Sequence, residues 1–168
     1  MKCRGFTLVE MMITVVVASV VLTLGVPSFR SLIQSNRIAA QTNDLMTALH
    51  LARSEAVKRG LSVSVCASAD GQTCSSAVDW TTGWIVFTDA SGVAGVVDGS
   101  DAVLRSWGAL TGDATLSCTG AFLQYRALGT VAGSAGFDLS IADAGPSGAT
   151  RYICIAGPGR PLLATSPC

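Results

Sequence analysis

Hydrophobic and polar positions divide the chain into three stretches with different periods. A short polar, basic start (Met1-Lys2-Cys3-Arg4-Gly5) leads into Phe6-Thr7-Leu8-Val9-Glu10 and an apolar run from Met11 to Val26. At about 1.5 Å per residue, Phe6 to Val26 spans one bilayer as a helix. Its many valines (Val15, Val16, Val17, Val20, Val21) would favour a strand in water, but in lipid only a helix satisfies every backbone group within one segment. Lys2 and Arg4 on its N-terminal side predict that end in the cytoplasm.

Pro27 follows, and a proline inside a helix predicts a kink or a local break. From Phe29 to Arg59 there is no Gly or Pro. Ile38, Thr42, Leu45, Leu49, Ala52 and Ala56 recur at spacings of three and four and form one mostly apolar stripe. Asn36, Arg37, Asn43, Arg53 and Lys58 fall largely off it. Gly60 suits a C-cap, with Lys58 and Arg59 favourable to the dipole just before it. The pattern predicts one long, interrupted helix from Phe6 to about Arg59, whose second half buries a face under the remainder of the chain. His50 beside the stripe reads as a helix-surface residue, since no further ligand types cluster with it.

After Gly60 the period becomes two. Leu61-Ser62-Val63-Ser64-Val65-Cys66 alternates as a half-buried strand does. Ala69-Asp70-Gly71 is a turn signal. Short strands are expected at Trp84–Phe87, Val103–Trp107, Thr115–Cys118, Phe122–Tyr125, Gly136–Ile141 and Arg151–Ile155, separated by turn residues and by a Gly-rich loop from Val93 to Asp101. One long helix followed by many short antiparallel strands is an α+β fold. Trp80 and Trp84 read as core aromatics between sheet and helix. Val97-Asp98-Gly99-Ser100-Asp101 is a fragment of a calcium-loop pattern, and an exposed turn is the favoured reading.

Composition adds limits. Hydrophobic residues make up 49% and charged residues 13%, and formal charge is zero. Removing residues 1–5 takes away Lys2 and Arg4, so 11 basic side chains become 9 against 11 acids, a net of −2. No global basic field results, and nucleic-acid contact would need a local patch. The chain has six cysteines and one histidine, which argues against zinc knuckles and for disulfides in an oxidising compartment. No GxSxG, HExxH or P-loop occurs, so no enzymatic activity and no cofactor or metal is expected.

Glu10 is the anomaly of the apolar segment. A lone carboxylate there costs roughly 2.5–3.5 kcal/mol on insertion scales, and a partner on another chain offsets it, the free α-amine at Phe6 of a cleaved neighbour being the natural cation. Gly5-Phe6-Thr7-Leu8-Val9-Glu10, with its short basic leader and apolar run, resembles the class III signal of type IV pilins and type II secretion pseudopilins. The resemblance implies cleavage after Gly5 by a prepilin peptidase, N-methylation of Phe6, and a role for Glu10 in docking subunits into a filament. It divides the chain into a leader (1–5), a transmembrane and filament-core helix (6–28), its amphipathic continuation (29–60) and a β-rich globular pilin domain (61–168).

Leu51-Ala52-Arg53-Ser54-Glu55-Ala56-Val57-Lys58-Arg59, Val65-Cys66, Asp70-Gly71, Cys74, Asp79-Trp80, Gly83-Trp84-Ile85-Val86-Phe87 and Asp89 narrow the resemblance to FimT/FimU minor pilins and GspH-type pseudopilins. That implies a minor pilin near the tip of a type IV pilus, helping to prime assembly. Its partners would be other major and minor pilins, the prepilin peptidase and the inner-membrane assembly platform. Its location would be a single inner-membrane pass with the C-terminal domain periplasmic, then the extracellular pilus. A pseudopilin of a type II secretion system is the alternative. Some FimT-like pilins end in a Gly-Arg-x-Arg loop that binds DNA. Here Gly159-Arg160 matches, Pro161 fills the variable position, and Leu162 stands where the second Arg would be. Arg160, with Lys58 and Arg59 if they lie close, is therefore the candidate DNA contact, against a plain Pro/Gly tail fixed by a disulfide. For the cysteines, Cys66–Cys74 would close a loop around Asp70-Gly71 and Cys154–Cys168 would staple the tail, leaving Cys118; Cys118–Cys154 is the main rival pairing.

Overall fold

The computed structural model describes residues 6–132, 137–143 and 150–168. Its first element, α1 (Leu8–Arg59), is a single helix of 52 residues, about 78 Å long at 1.5 Å per residue. Thr7 caps its start, and its Oγ1 accepts from the Glu10 N–H at 3.2 Å. Gly60 ends it at φ 68°, its N–H donating to the Ala56 carbonyl at 3.0 Å.

The expected interruption at Pro27 is absent: the helix runs through it. Proline removes one backbone donor, but in apolar surroundings leaving the helix would strand many more groups. Four hydroxyls of this half are satisfied locally too. Thr14, Ser19, Thr23 and Ser31 each donate to the carbonyl three residues back, at 2.7–2.9 Å. Nothing in the described chain covers this half, and it contains a window of mean hydropathy 2.3, long and apolar enough to cross a membrane.

Among the described residues eight strands follow: β1 (Val63–Ala67), β2 (Trp84–Thr88), β3 (Val103–Trp107), β4 (Ala114–Cys118), β5 (Phe122–Tyr125), β6 (Phe137–Asp143), β7 (Thr150–Ile155) and β8 (Pro161–Ala164). They form two antiparallel four-stranded sheets, ordered β3-β2-β1-β5 and β4-β6-β7-β8. α1 packs on both. Its stripe (Ile38, Thr42, Leu45, Leu49, Ala52, Ala56) is buried along its length, against Val65, Trp80, Trp84, Leu116, Tyr125 and Ile153.

Two strand expectations need correction. β8 lies where the sequence suggested a loop-like tail: Pro161 pairs with Ile155 and Leu162 with Cys154. A proline is tolerated because β8 is an edge strand and needs no outward donor. β1 is buried on both faces, although its alternation suggested one. On its second face Cys66 joins Ile85 and Phe87 of β2 in a second apolar cluster, with Cys74, Val97 and Phe122 packed on it. The Gly-rich loop supplies that cover and is tied down by Asp89. This buried carboxylate accepts from the Ser64 hydroxyl, from the Gly95 N–H at 2.9 Å and from Gln124 Nε2 at 2.8 Å.

Candidate functional site

The N-terminal turn of α1 is the first candidate. Gly5 lies outside the described residues. Phe6 and Glu10 are exposed. Thr7 and Glu10 occupy the N-cap and third helical position of a T-x-x-E capping pattern, so the backbone N–H of Glu10 is held by Thr7 while its carboxylate has no partner among the described residues. An acid in the first turn is also favoured by the helix dipole. The spacing of Thr7 to Glu10 is a signal of this cap in the sequence itself.

The second is the C-terminal turn that carries Arg160. Arg160 is exposed, and Gly159 before it is buried at φ 77°. The turn between β7 and β8 meets the turn after β5. A Cβ on Gly159 would lie 2.1 Å from the Gly129 carbonyl oxygen, and Val131 N–H donates to the Gly157 carbonyl at 3.1 Å. Arg53 of α1 clamps both, its Nε donating to Gly129 O at 3.1 Å and its Nη2 to Pro158 O at 3.2 Å. The sequence placed Arg53 off the stripe but carried no signal for this clamp. Lys58 and Arg59, the other candidate contacts, both engage Glu55, at 3.5 and 2.5 Å. The Arg59 hydrogen bond, with both nearby cations, holds the Glu55 carboxyl below its ordinary range. Arg126 is exposed on the turn that Gly129 closes, where the Gly129 N–H donates to the Arg126 carbonyl at 2.7 Å.

Disulfides join Cys66 to Cys74 and Cys154 to Cys168, with Cα separations of 5.7 and 5.8 Å. Cys118 is a free, buried thiol. It shares the core face of β4 with Ala114 and Leu116, whereas Cys154 alternates with the core residues Ile153 and Ile155, so the rival Cys118–Cys154 bond would have to cross the sheet. Burial, with the Asp79 carboxylate adding to it, pushes the Cys118 thiol well above its ordinary value. In the Val97–Asp101 loop the carboxylates serve the backbone: Asp98 accepts from Val93 N–H at 2.9 Å and Asp101 from Ala90 N–H at 3.1 Å. Among the described residues no three of His, Cys, Asp or Glu converge as a metal site.

With this geometry, the comparisons with known proteins converge. The family model of the type II transport protein GspH matches residues 41–159, and that of the prokaryotic N-terminal methylation motif matches residues 1–26. The fold is that of the type IV minor pilin FimU of Pseudomonas aeruginosa. One crystal form of FimU superimposes with a TM-score of 0.63 at 22% identity over 80% of this chain and 95% of FimU. A second gives 0.59 at 24% identity over 77% and 96%. No curated protein matches the chain at the level of sequence.

Proposed function

We propose that this chain, which belongs to the GspH family of type II transport proteins, is a minor pilin of a type IV pilus, processed after Gly5 and assembled through its exposed apolar helix. The observation that carries this reading is the Glu10 carboxylate, without a partner among the described residues, at the capped, exposed start of α1. An acid left alone in an apolar span is stabilised by a cation from another chain, and a neighbouring subunit's Phe6 α-amine supplies one. Residues 6–28 then form the bilayer anchor and later the filament core, with the amino terminus cytoplasmic and the two-sheet domain periplasmic. The part is structural. Partners are other pilins, the prepilin peptidase and the assembly platform.

Co-expression with a prepilin peptidase tests this: the mature chain should begin at N-methylated Phe6 by mass spectrometry. An unprocessed chain would sink the reading. Complementation then separates the two filament systems. Restoration of surface pili in a minor-pilin deletion supports the pilus, and restoration of protein secretion alone supports a type II secretion pseudopilin.

A polyanion contact at the C-terminal turn is the second reading, favoured by exposed Arg160 and Arg126 on the two turns that meet at Gly129 and Gly159. Two phosphate contacts would give a log–log salt slope of about −1.8 on duplex DNA. A gel shift that is salt-sensitive and lost in Arg160→Ala supports it. Binding unchanged in that variant removes its basis.

A further inference from the structure

A cleft of about 300 Å³ opens between α1 and the segment following β3. Arg37, Gln41 and Asp44 line it from the helix, four and three residues apart and so on one face. Trp84, Trp107 and residues 108–111 complete the lining. Gln41 is 7% exposed and Trp84 2%.

Gln41 Nε2 donates to the carbonyl and the hydroxyl of Thr111, each at 3.1 Å, and this fixes which way the amide points. Among the described residues its Oε1 has no donor, and the indole N–H of Trp84 has no acceptor. Buried polar groups in native structures are nearly always paired, so an unmet acceptor and an unmet donor on two side chains that line one cleft indicate a group that carries both complements. A secondary amide does, through its N–H and its C=O. Arg37 and Asp44 place opposite charges on either side of Gln41, matching an amide dipole or the charged side chains flanking one. β3 is the outermost strand of its sheet, and no described segment pairs with its outer edge, which ends at the cleft with Trp107. An open edge is a ready template for an added extended segment.

We propose that this cleft receives an extended peptide main chain laid along the outer edge of β3, its amide N–H donating to Gln41 Oε1 and its carbonyl accepting from Trp84 Nε1. Both side chains line the cleft, and both atoms are shielded from solvent. Half-buried Trp107, stacked on Trp84 at a centroid distance of 6.2 Å with Arg105 over its ring, is the wall that turns aside as the peptide seats. Arg37 lies eleven residues beyond Val26, or about 16 Å along the helix, so the cleft sits at the membrane-proximal rim of the domain. That the peptide comes from a neighbouring subunit rests on the filament reading; the amide chemistry does not.

The test is a titration of the full chain in detergent micelles, followed by ¹⁵N–¹H spectra of its three indoles. N-methylacetamide, with one donor and one acceptor, should shift the Trp84 indole and the Gln41 side-chain amide saturably. N,N-dimethylacetamide, which lacks the donor, should bind roughly ten-fold more weakly, the loss of one good hydrogen bond. Gln41→Leu should abolish that preference. No saturable shift with N-methylacetamide, equal binding of the two amides, or a shift produced only by methyl glucoside each overturns the proposal. Failure here leaves processing at Gly5 intact, and failure of processing leaves the amide contrast intact, so the two readings fall separately.

Discussion

Gly159 packs on Gly129 so closely that a Cβ on the first would lie 2.1 Å from the carbonyl oxygen of the second. With φ at 77°, Gly159 also occupies a backbone region that costs other residues about 1–3 kcal/mol. Gly159→Ala should therefore lower stability by at least about that amount, seen as a fall in thermal midpoint. Gly157→Ala, where a Cβ meets nothing within 4 Å, should be close to neutral. Equal effects from the two would contradict this packing.

The same junction depends on Arg53. Arg53→Met keeps the aliphatic stem and removes the two hydrogen bonds to Gly129 and Pro158. The expected loss is about 1–3 kcal/mol, with faster amide exchange concentrated in residues 126–131 and 156–160. Uniform exchange across both sheets would count against a local clamp.

Asp89 anchors the loop that covers β1. Asp89→Ala leaves the Ser64 hydroxyl, the Gly95 N–H and the Gln124 amide without their shared acceptor. A destabilisation of about 2–4 kcal/mol is expected. Limited proteolysis should then cut first between Val93 and Asp101, and an unchanged cleavage pattern would refute the anchoring role.

Acid sensitivity should be traceable to Asp70. Its carboxylate accepts from the Thr73 hydroxyl at 2.6 Å and the Thr73 and Gln72 N–H groups at 2.8 Å each, and these bonds hold its pKa far below the ordinary 3.8. A depressed folded value means that the stabilisation is present above 3.8 and declines as pH falls below it. Asp70→Ala should be less stable than wild type at neutral pH, and the gap should narrow between about pH 4 and pH 2. A gap independent of pH would show that the carboxylate charge is irrelevant to the turn.

Thiol counting checks the cysteine assignment. In the chain cleaved after Gly5, native protein should react negligibly with a thiol reagent, because Cys118 is buried and its thiol is held protonated. Unfolding without reductant should release one thiol. The uncleaved chain should show one more on unfolding, from Cys3.

Local period carried much of this protein. The apolar run, the stripe from Ile38 to Ala56 and the Gly60 cap all fall out of residues a few positions apart, and the helix lies where they put it. Alternation, short apolar runs and turn residues located seven of the eight described strands. Tertiary structure alone decided the rest, because it turns on contacts between distant residues. Arg53 reaches carbonyls 76 and 105 residues away. β8 is a strand only because β7 offers an edge on which its proline costs no hydrogen bond. The second buried face of β1 exists only because Asp89 folds a distant loop over it, and a period of two reports which way a side chain points but never what will cover it.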